Sequence, residues 1–345
     1  MTRRYSLALL CAALVLGPGL QPAAQAQTAA ADGWTAPRLP DGRPDLQGVW
    51  DFRTITPLER PEEFADQAVL TDEDEAVLVA RALDRQIDRP PAPGDVGGYN
   101  QFWIDRGTNV DEDRRTALIV DPPDGRLPAR MPNVPEQVGS LRADLPGERP
   151  VRYRSGGIGA DGPEDRGIAE RCILGFNAGP PVRPGGYNNN LQLFQTPDHV
   201  VILHEMVNDA RIVPLDGRAH LPAGLRQWRG DGRGRWDGDT LVVESTNFTD
   251  KTASYGHGGI YAYGTGLTLH LTERFTRVAD DVLLYEYTVN DPVTFSRPFT
   301  AAIYMRRGEQ PIYEYACHEG NYGMFDILAG ARHQEQRAGA AGGSR

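Results

Sequence analysis

From Tyr187 onward the chain is a rapid succession of short segments divided by turn residues, and that spacing leaves few architectures open. Strand-like runs, most of them alternating apolar and polar residues, cover 191–195, 199–206, 211–215, 240–246, 267–275, 282–289, 299–306 and 312–317, a pattern that a strand with two unlike faces produces. Asp216-Gly217 and Asp237-Gly238 supply the turn chemistry that near-hairpin connections require. Two further strands are expected at 101–105 and 115–121, bringing the count to about ten, which suits an up-and-down barrel that closes its own edges and encloses one small ligand. The expected class is therefore mainly β: a single antiparallel barrel with an N-terminal arm, one or two helices and a long middle loop.

Residues 1–26 read as a secretory signal peptide. Arg3 and Arg4 form the basic start, Leu7 to Leu16 an apolar core and Ala24-Gln25-Ala26 a small-residue cleavage site, so the mature chain is expected to begin near Gln27. That core is too short to span a bilayer, and no later segment comes closer, so no integral membrane segment is expected. Residues 27–98 form the arm, with one helix at about 72–88. Thr71 precedes an acidic first turn, Ala76, Val79, Ala80, Leu83 and Ile87 share a face, and Pro90-Pro91 stops the helix,. The barrel domain is expected over 99–332, interrupted by a loop at 122–186 with little periodicity, and 333–345 reads as a disordered tail.

Composition excludes several functions. The formal charge is −11, and about −13 once Arg3 and Arg4 are removed, which repels phosphate backbones and anionic lipids, so no nucleic acid partner is expected. Lys251 is the only lysine and lies in a turn, so Schiff-base chemistry is not expected. No phosphate-binding glycine loop or His-Glu-x-x-His is present, and no cofactor is expected. Beyond the leader the cysteines are Cys172 and Cys317, which in an oxidising compartment favours a disulfide between the middle loop and the last strand. The competing reading is a nucleophilic Cys317 beside His318.

Alternation places ionisable groups on apolar faces. Glu273 shares a side with Leu269, Leu271 and Phe275, and His204 with Val200, Ile202 and Met206; such groups cost free energy unless paired. His204-Glu205 and His318-Glu319 each offer only one ligand inward, because neighbours on a strand face opposite ways, so metal binding is not expected.

The segments Val201-Ile202-Leu203-His204-Glu205-Met206, Arg218-Ala219-His220-Leu221-Pro222, Trp236-Asp237-Gly238-Asp239-Thr240-Leu241 and Tyr315-Ala316-Cys317-His318-Glu319-Gly320-Asn321 together resemble a large, mostly uncharacterised family of exported bacterial proteins with a lipocalin-like (calycin-like) β-barrel. The likeness covers nearly the whole mature chain and implies no settled reaction. The family usually carries Tyr where His204 stands, and a shorter turn where the aromatic stretch 254–264 stands. That stretch is read as a flexible lid carrying Tyr261.

The candidate catalytic residues are His220 and His318 as proton carriers, with Glu205 and Glu319 orienting them or sharing that role. Arg211, Tyr187, Asn188, Asn190, His204 and Tyr261 are the candidate substrate-binding residues. For Glu205 and Arg211 the competing reading is a buried ion pair, and for the Asn run it is strand entry and turn capping. Three functions remain open: a periplasmic hydrolase or lyase working by metal-independent acid/base chemistry, a lipocalin-like carrier of a small molecule, or, third, a purely structural role as a periplasmic interaction protein.

Overall fold

Trp50, fully buried, lies in the first strand of the computed structural model, which describes residues 34–90, 93, 100–134, 160–257 and 261–342. The expected signal peptide lies outside these. In chain order the elements are β1 (Gly48–Asp51), α1 (Asp72–Arg85), β2 (Ile119–Asp121), β3 (Asn190–Gln195), β4 (His199–His204), β5 (Asp209–Pro214), β6 (Asp231–Asp237), β7 (Thr240–Thr246), β8 (Tyr255–His257), β9 (Tyr261–Tyr263), β10 (His270–Arg277), β11 (Val282–Asn290), β12 (Phe299–Arg307) and α2 (Tyr322–Gly342).

Ten of these strands form one antiparallel sheet, with the path β5-β4-β3-β1-β12-β11-β10-β7-β6 and β2 added beside β12. Followed round from β1, the strands come in chain order, the succession of an up-and-down barrel. β1 and β2 occupy the same side of β12, β1 at Arg306 and Arg307 and β2 at Thr300 and Ala301. The N-terminal arm is thus part of the barrel wall as well as a wrap around it.

The ring is nearly closed, and the gap lies between β5 and β6. Every bonded pair on the path is antiparallel and nine strands lie along it, so β5 and β6 run in the same direction. A chain leaving β5 must return along the outside of the gap before β6 begins, and residues 215–230 make that return. At the gap β6 has glycines facing inward. A Cβ on Gly234 would lie 2.9 Å from Val213 Cγ1 and 2.6 Å from Leu215 Cδ2, so the close approach of β6 to the end of β5 depends on a missing side chain.

The barrel is filled by its own side chains. Trp50, Phe275, Tyr285, Tyr287, Phe295 and Phe299 are fully buried in one core with Leu191, Ile202, Leu241 and Leu271, because the inward positions of alternate strands converge there. The hairpin β8–β9 closes the end where β5 and β6 start: Tyr255 is buried with its hydroxyl 2.9 Å from that of Tyr287. Segment 160–186 enters the same end, where buried Val182 donates its N–H to Tyr285 Oη at 3.0 Å. The disulfide Cys172–Cys317 ties this segment to the turn before α2 across a Cα–Cα distance of 5.8 Å.

Several local expectations change. Residues 101–103 form a single helical turn and 312–317 an irregular approach to α2 rather than strands, and neither pairs with the sheet. α1 starts at Thr71 with a reciprocal Thr71–Asp74 cap, but Leu83 and Ile87 are exposed while Ala82 is buried. Its contact stripe is therefore shifted from the one its periodicity suggests. Where a disordered tail is expected, α2 continues to Gly342, through a stretch rich in Ala, Gln, Glu and Arg that favours helix. Among the described residues, no helix is long and apolar enough to cross a membrane.

Candidate functional site

The open seam of the barrel holds the most developed polar constellation in the molecule. The return segment is pinned across it: Gln227 pairs with Asn247 and Thr249 through backbone bonds of 2.9 and 3.0 Å. Gly230, at φ +68°, then turns the chain under Phe248 into β6, and a Cβ there would strike the Thr246 carbonyl at 2.6 Å. Between β5 and residues 226–233 lies a cleft of about 450 Å³, lined among others by Arg211, Ile212, Arg226, Trp228, Arg229 and Arg233.

His220 is held at this seam by Asp231, the first residue of β6. Its Nδ1 lies 3.0 Å from Asp231 Oδ2, which also accepts the Leu221 N–H at 2.9 Å. The other carboxylate oxygen accepts from Arg233 Nη1 at 2.6 Å, while Arg233 Nε donates to the Ala219 carbonyl at 3.1 Å. The Asp231 side chain is 5% exposed and that of His220 30%. A buried carboxylate on Nδ1 fixes the tautomer and leaves Nε2 as the lone-pair nitrogen. That nitrogen has no hydrogen-bond partner among the described residues, so it is the atom positioned to take a proton from outside.

Arg211 and Glu205 do not form the pair expected of them. Arg211 points into the barrel and meets Glu273 on β10 through two bonds, Nη1 to Oε1 at 3.0 Å and Nη2 to Oε2 at 2.5 Å. Tyr285 Oη donates to the same carboxylate at 2.9 Å. Burial opposes the Arg211 charge, but Glu273 outweighs it and raises its pKa above the ordinary value. The same surroundings push the Tyr285 hydroxyl well up. Glu205 lies past the end of β4 in a turn, where it accepts from Asn190 Nδ2 at 2.8 Å; the β4–β5 register sets Ile202 opposite Arg211, so Glu205 lies three residues beyond it.

His204, the last residue of β4, faces inward and is 1% exposed. Neither ring nitrogen has a hydrogen-bond partner among the described residues. Burial, with the charges of Arg211 and Arg229 adding to it, pushes its pKa well below the ordinary imidazole value, so the ring is neutral. Arg229 pairs with Asp209 and also donates to the Ile173 carbonyl at 3.2 Å. Burial lowers the Arg229 pKa and raises that of Asp209, which means that their mutual attraction does not fully offset the lost hydration.

The remaining candidates stand apart from the seam. His318 and Glu319 are exposed in the turn after the disulfide, and no hydrogen bond or ion pair among the described residues links them to it. Asn321 anchors that turn by donating to the Glu170 carbonyl at 2.7 Å. Tyr187 and Asn188 present their carbonyls to Asn177 Nδ2 at 2.9 and 3.1 Å. Buried Asn189 bonds Gly185 and the Asp105 carbonyl. The Asn run is therefore a strand-entry clamp. Tyr261 contributes backbone to β9, its side chain lies outside what is described, and so do residues 258–260 of the expected lid; Tyr255 and Tyr263 on either side of them are buried in the core.

Sequence reasoning missed Asp231, Arg226, Trp228, Arg229 and Arg233. The run Trp228-Arg229-Gly230-Asp231-Gly232-Arg233-Gly234-Arg235-Trp236 has a turn-like composition, yet it alternates glycine with charge at the period of a strand, and that is the signal that marks it.

A second cleft of about 470 Å³ lies outside the barrel beside α1, lined by Arg53, Asp105, Asp111, Arg114, Tyr304 and Arg306 among others. Its charges are internally paired, Arg53 with Asp51 and Asp105 at 2.5 Å each and Arg114 with Asp72 and Glu75 at 2.7 and 2.8 Å. It is a charge-satisfied groove rather than a site. Comparison with protein-family models, curated proteins and solved structures found no match to this chain.

Proposed function

We propose that this chain is an exported, periplasmic or secreted enzyme, belonging to the family its motifs resemble, that acts on a small organic molecule by metal-independent general acid/base chemistry, as a hydrolase or lyase. The observation that carries the reading is His220, whose Nδ1 is bonded to buried Asp231 and whose Nε2 has no partner among the described residues, beside a cleft of small-molecule size,. Nε2 takes a proton from water or from a substrate carbon. The resulting imidazolium is stabilised by Asp231, which Arg233 and the Leu221 amide hold in place, and the proton is then returned to the leaving group. The orienting carboxylate is thus Asp231 instead of Glu205 or Glu319. Export is supported by the leader-like sequence at 1–26 and by a disulfide suited to an oxidising compartment,.

The carrier reading places its ligand inside the barrel, where Trp50, Phe275, Tyr285, Tyr287 and Phe299 already pack, so acid/base chemistry at the seam is the better supported function. A panel of esters, lactones and β-hydroxy acids assayed with the mature protein tests it. For a substrate that is turned over, His220→Asn is expected to lower kcat by about 10² to 10⁴ with little change in KM, and Asp231→Asn by a smaller factor. Full activity in His220→Asn would overturn the reading.

A further inference from the structure

The seam cleft carries a charge pattern opposite to that of the rest of the molecule. The chain has 47 acidic residues against 36 basic ones, yet four arginines line this cleft, Arg211, Arg226, Arg229 and Arg233, with Asp231 as the lining acidic residue. Three of the four have carboxylate partners: Arg211 has Glu273, Arg229 has Asp209 and Arg233 has Asp231. Arg226 has none among the described residues. Its Nη1 donates to the carbonyls of Phe248 and Leu267 at 2.9 and 3.1 Å, which fixes the direction of the group, while Nε and Nη2 have no partner among the described residues. A guanidinium oriented in this way is a ready-made fork for two oxygens of a carboxylate or phosphate.

Arg211 and Arg229 also line the cleft, and behind them, outside its lining, His204 is buried with neither ring nitrogen bonded among the described residues. Trp228 adds an aromatic lining surface, and about 450 Å³ is room for a small organic molecule.

We infer that the seam cleft takes a small organic oxyanion, a carboxylate or a phosphate monoester, with Arg226 as its anchor and Trp228 alongside its apolar body. This rests on the acid/base reading for its link to turnover, since the anion held at Arg226 becomes the substrate presented to His220. Anchoring, however, is testable by binding alone.

The experiment is isothermal titration calorimetry of the mature protein with acetate, benzoate, succinate and phenyl phosphate, and with benzyl alcohol as the neutral counterpart, at low and high salt. At least one carboxylate or phenyl phosphate is expected to bind at least tenfold more tightly than benzyl alcohol and to weaken as salt rises. Preference for benzoate or for phenyl phosphate identifies which oxyanion the fork fits. Arg226→Gln is expected to lose at least tenfold in anion affinity and Arg226→Lys to recover part of it. Arg235→Gln removes a charge from the exposed outer face of β6 and is expected to bind as wild type. Because Arg226 is exposed, its variants are expected to keep the wild-type melting temperature. The proposal is overturned if no anion binds, if benzyl alcohol binds as tightly as the anions, or if Arg226→Gln binds them unchanged. His220→Asn separates the two readings: anion binding retained with turnover unaffected sinks the acid/base function and leaves the oxyanion site standing.

Discussion

Arg211 and Glu273 face each other inside an otherwise apolar barrel, and single charges there are tolerated only as a pair. Removing one partner strands the other: Glu273→Gln is expected to destabilise by about 3–5 kcal/mol in urea denaturation. The double variant Arg211→Met/Glu273→Leu is expected to recover most of that loss, since a hydrophobic pair of similar volume avoids the desolvation of both ions. If the double variant is as unstable as the sum of its parts, the two residues are not acting as a pair. Asp111 gives a pH-dependent counterpart. Burial raises its carboxyl to about 6 from an ordinary 3.8, against the opposing pull of Arg115. The folded state then binds the proton more tightly than the unfolded state, so this residue's contribution to stability is fully present below about pH 4 and is lost as pH rises through about 6. Asp111→Asn is therefore expected to gain stability relative to wild type between pH 4 and pH 7, by roughly 2–3 kcal/mol. A wild-type-minus-variant difference that stays flat across urea melts at those pH values contradicts the shift.

At the scale of elements the seam decides most of the chemistry. β6 approaches the end of β5 because Gly234 has no side chain to meet stiff Val213,. Gly234→Ala is expected to cost about 1–3 kcal/mol, as an overpacked contact does. Gly232→Ala should stay within about 0.5 kcal/mol, since its Cβ would meet only ordinary neighbours at 3.5 Å or more,. Equal effects at the two positions would mean that the seam is not sterically tuned. The missing ladder between β5 and β6 has a second consequence. It leaves residues 226–233 facing β5 across open space, and that space is the cleft. The hairpin β8–β9, the bonded entry of Val182 and the filled core leave the barrel end without the open mouth expected of a carrier.

For the molecule as a whole, how much could be read in advance follows from how local each signal is. β3, β4, β7, β11 and β12 fall within two residues of their expected positions, because period-two alternation and Asp-Gly turns are properties of a few neighbouring residues. β1 and β6 were not expected. Trp50 becomes a strand residue only by pairing with both β3 and β12, and a glycine-rich run becomes β6 only against β7. Of the candidate site, His220 and Arg211 were legible as residues but their partners were not. Asp231 follows His220 by 11 positions and Glu273 follows Arg211 by 62, and no local pattern encodes contacts across such separations.

What the sequence determined by itself is the class of structure and the pieces available to it: antiparallel strands in near-hairpin succession, a capped helix, an acid-rich composition, and Cys172 and Cys317 as a candidate disulfide. These depend on short-range sterics, on solvation and on composition. The tertiary structure alone decided which charges meet. An odd number of strands around the ring forces β5 and β6 parallel, the unpaired gap between them opens the cleft, and the segment that must cross it brings His220 to Asp231. Closure of a ring is a property of the entire sheet, so the site that depends on it is written in no single stretch of the chain.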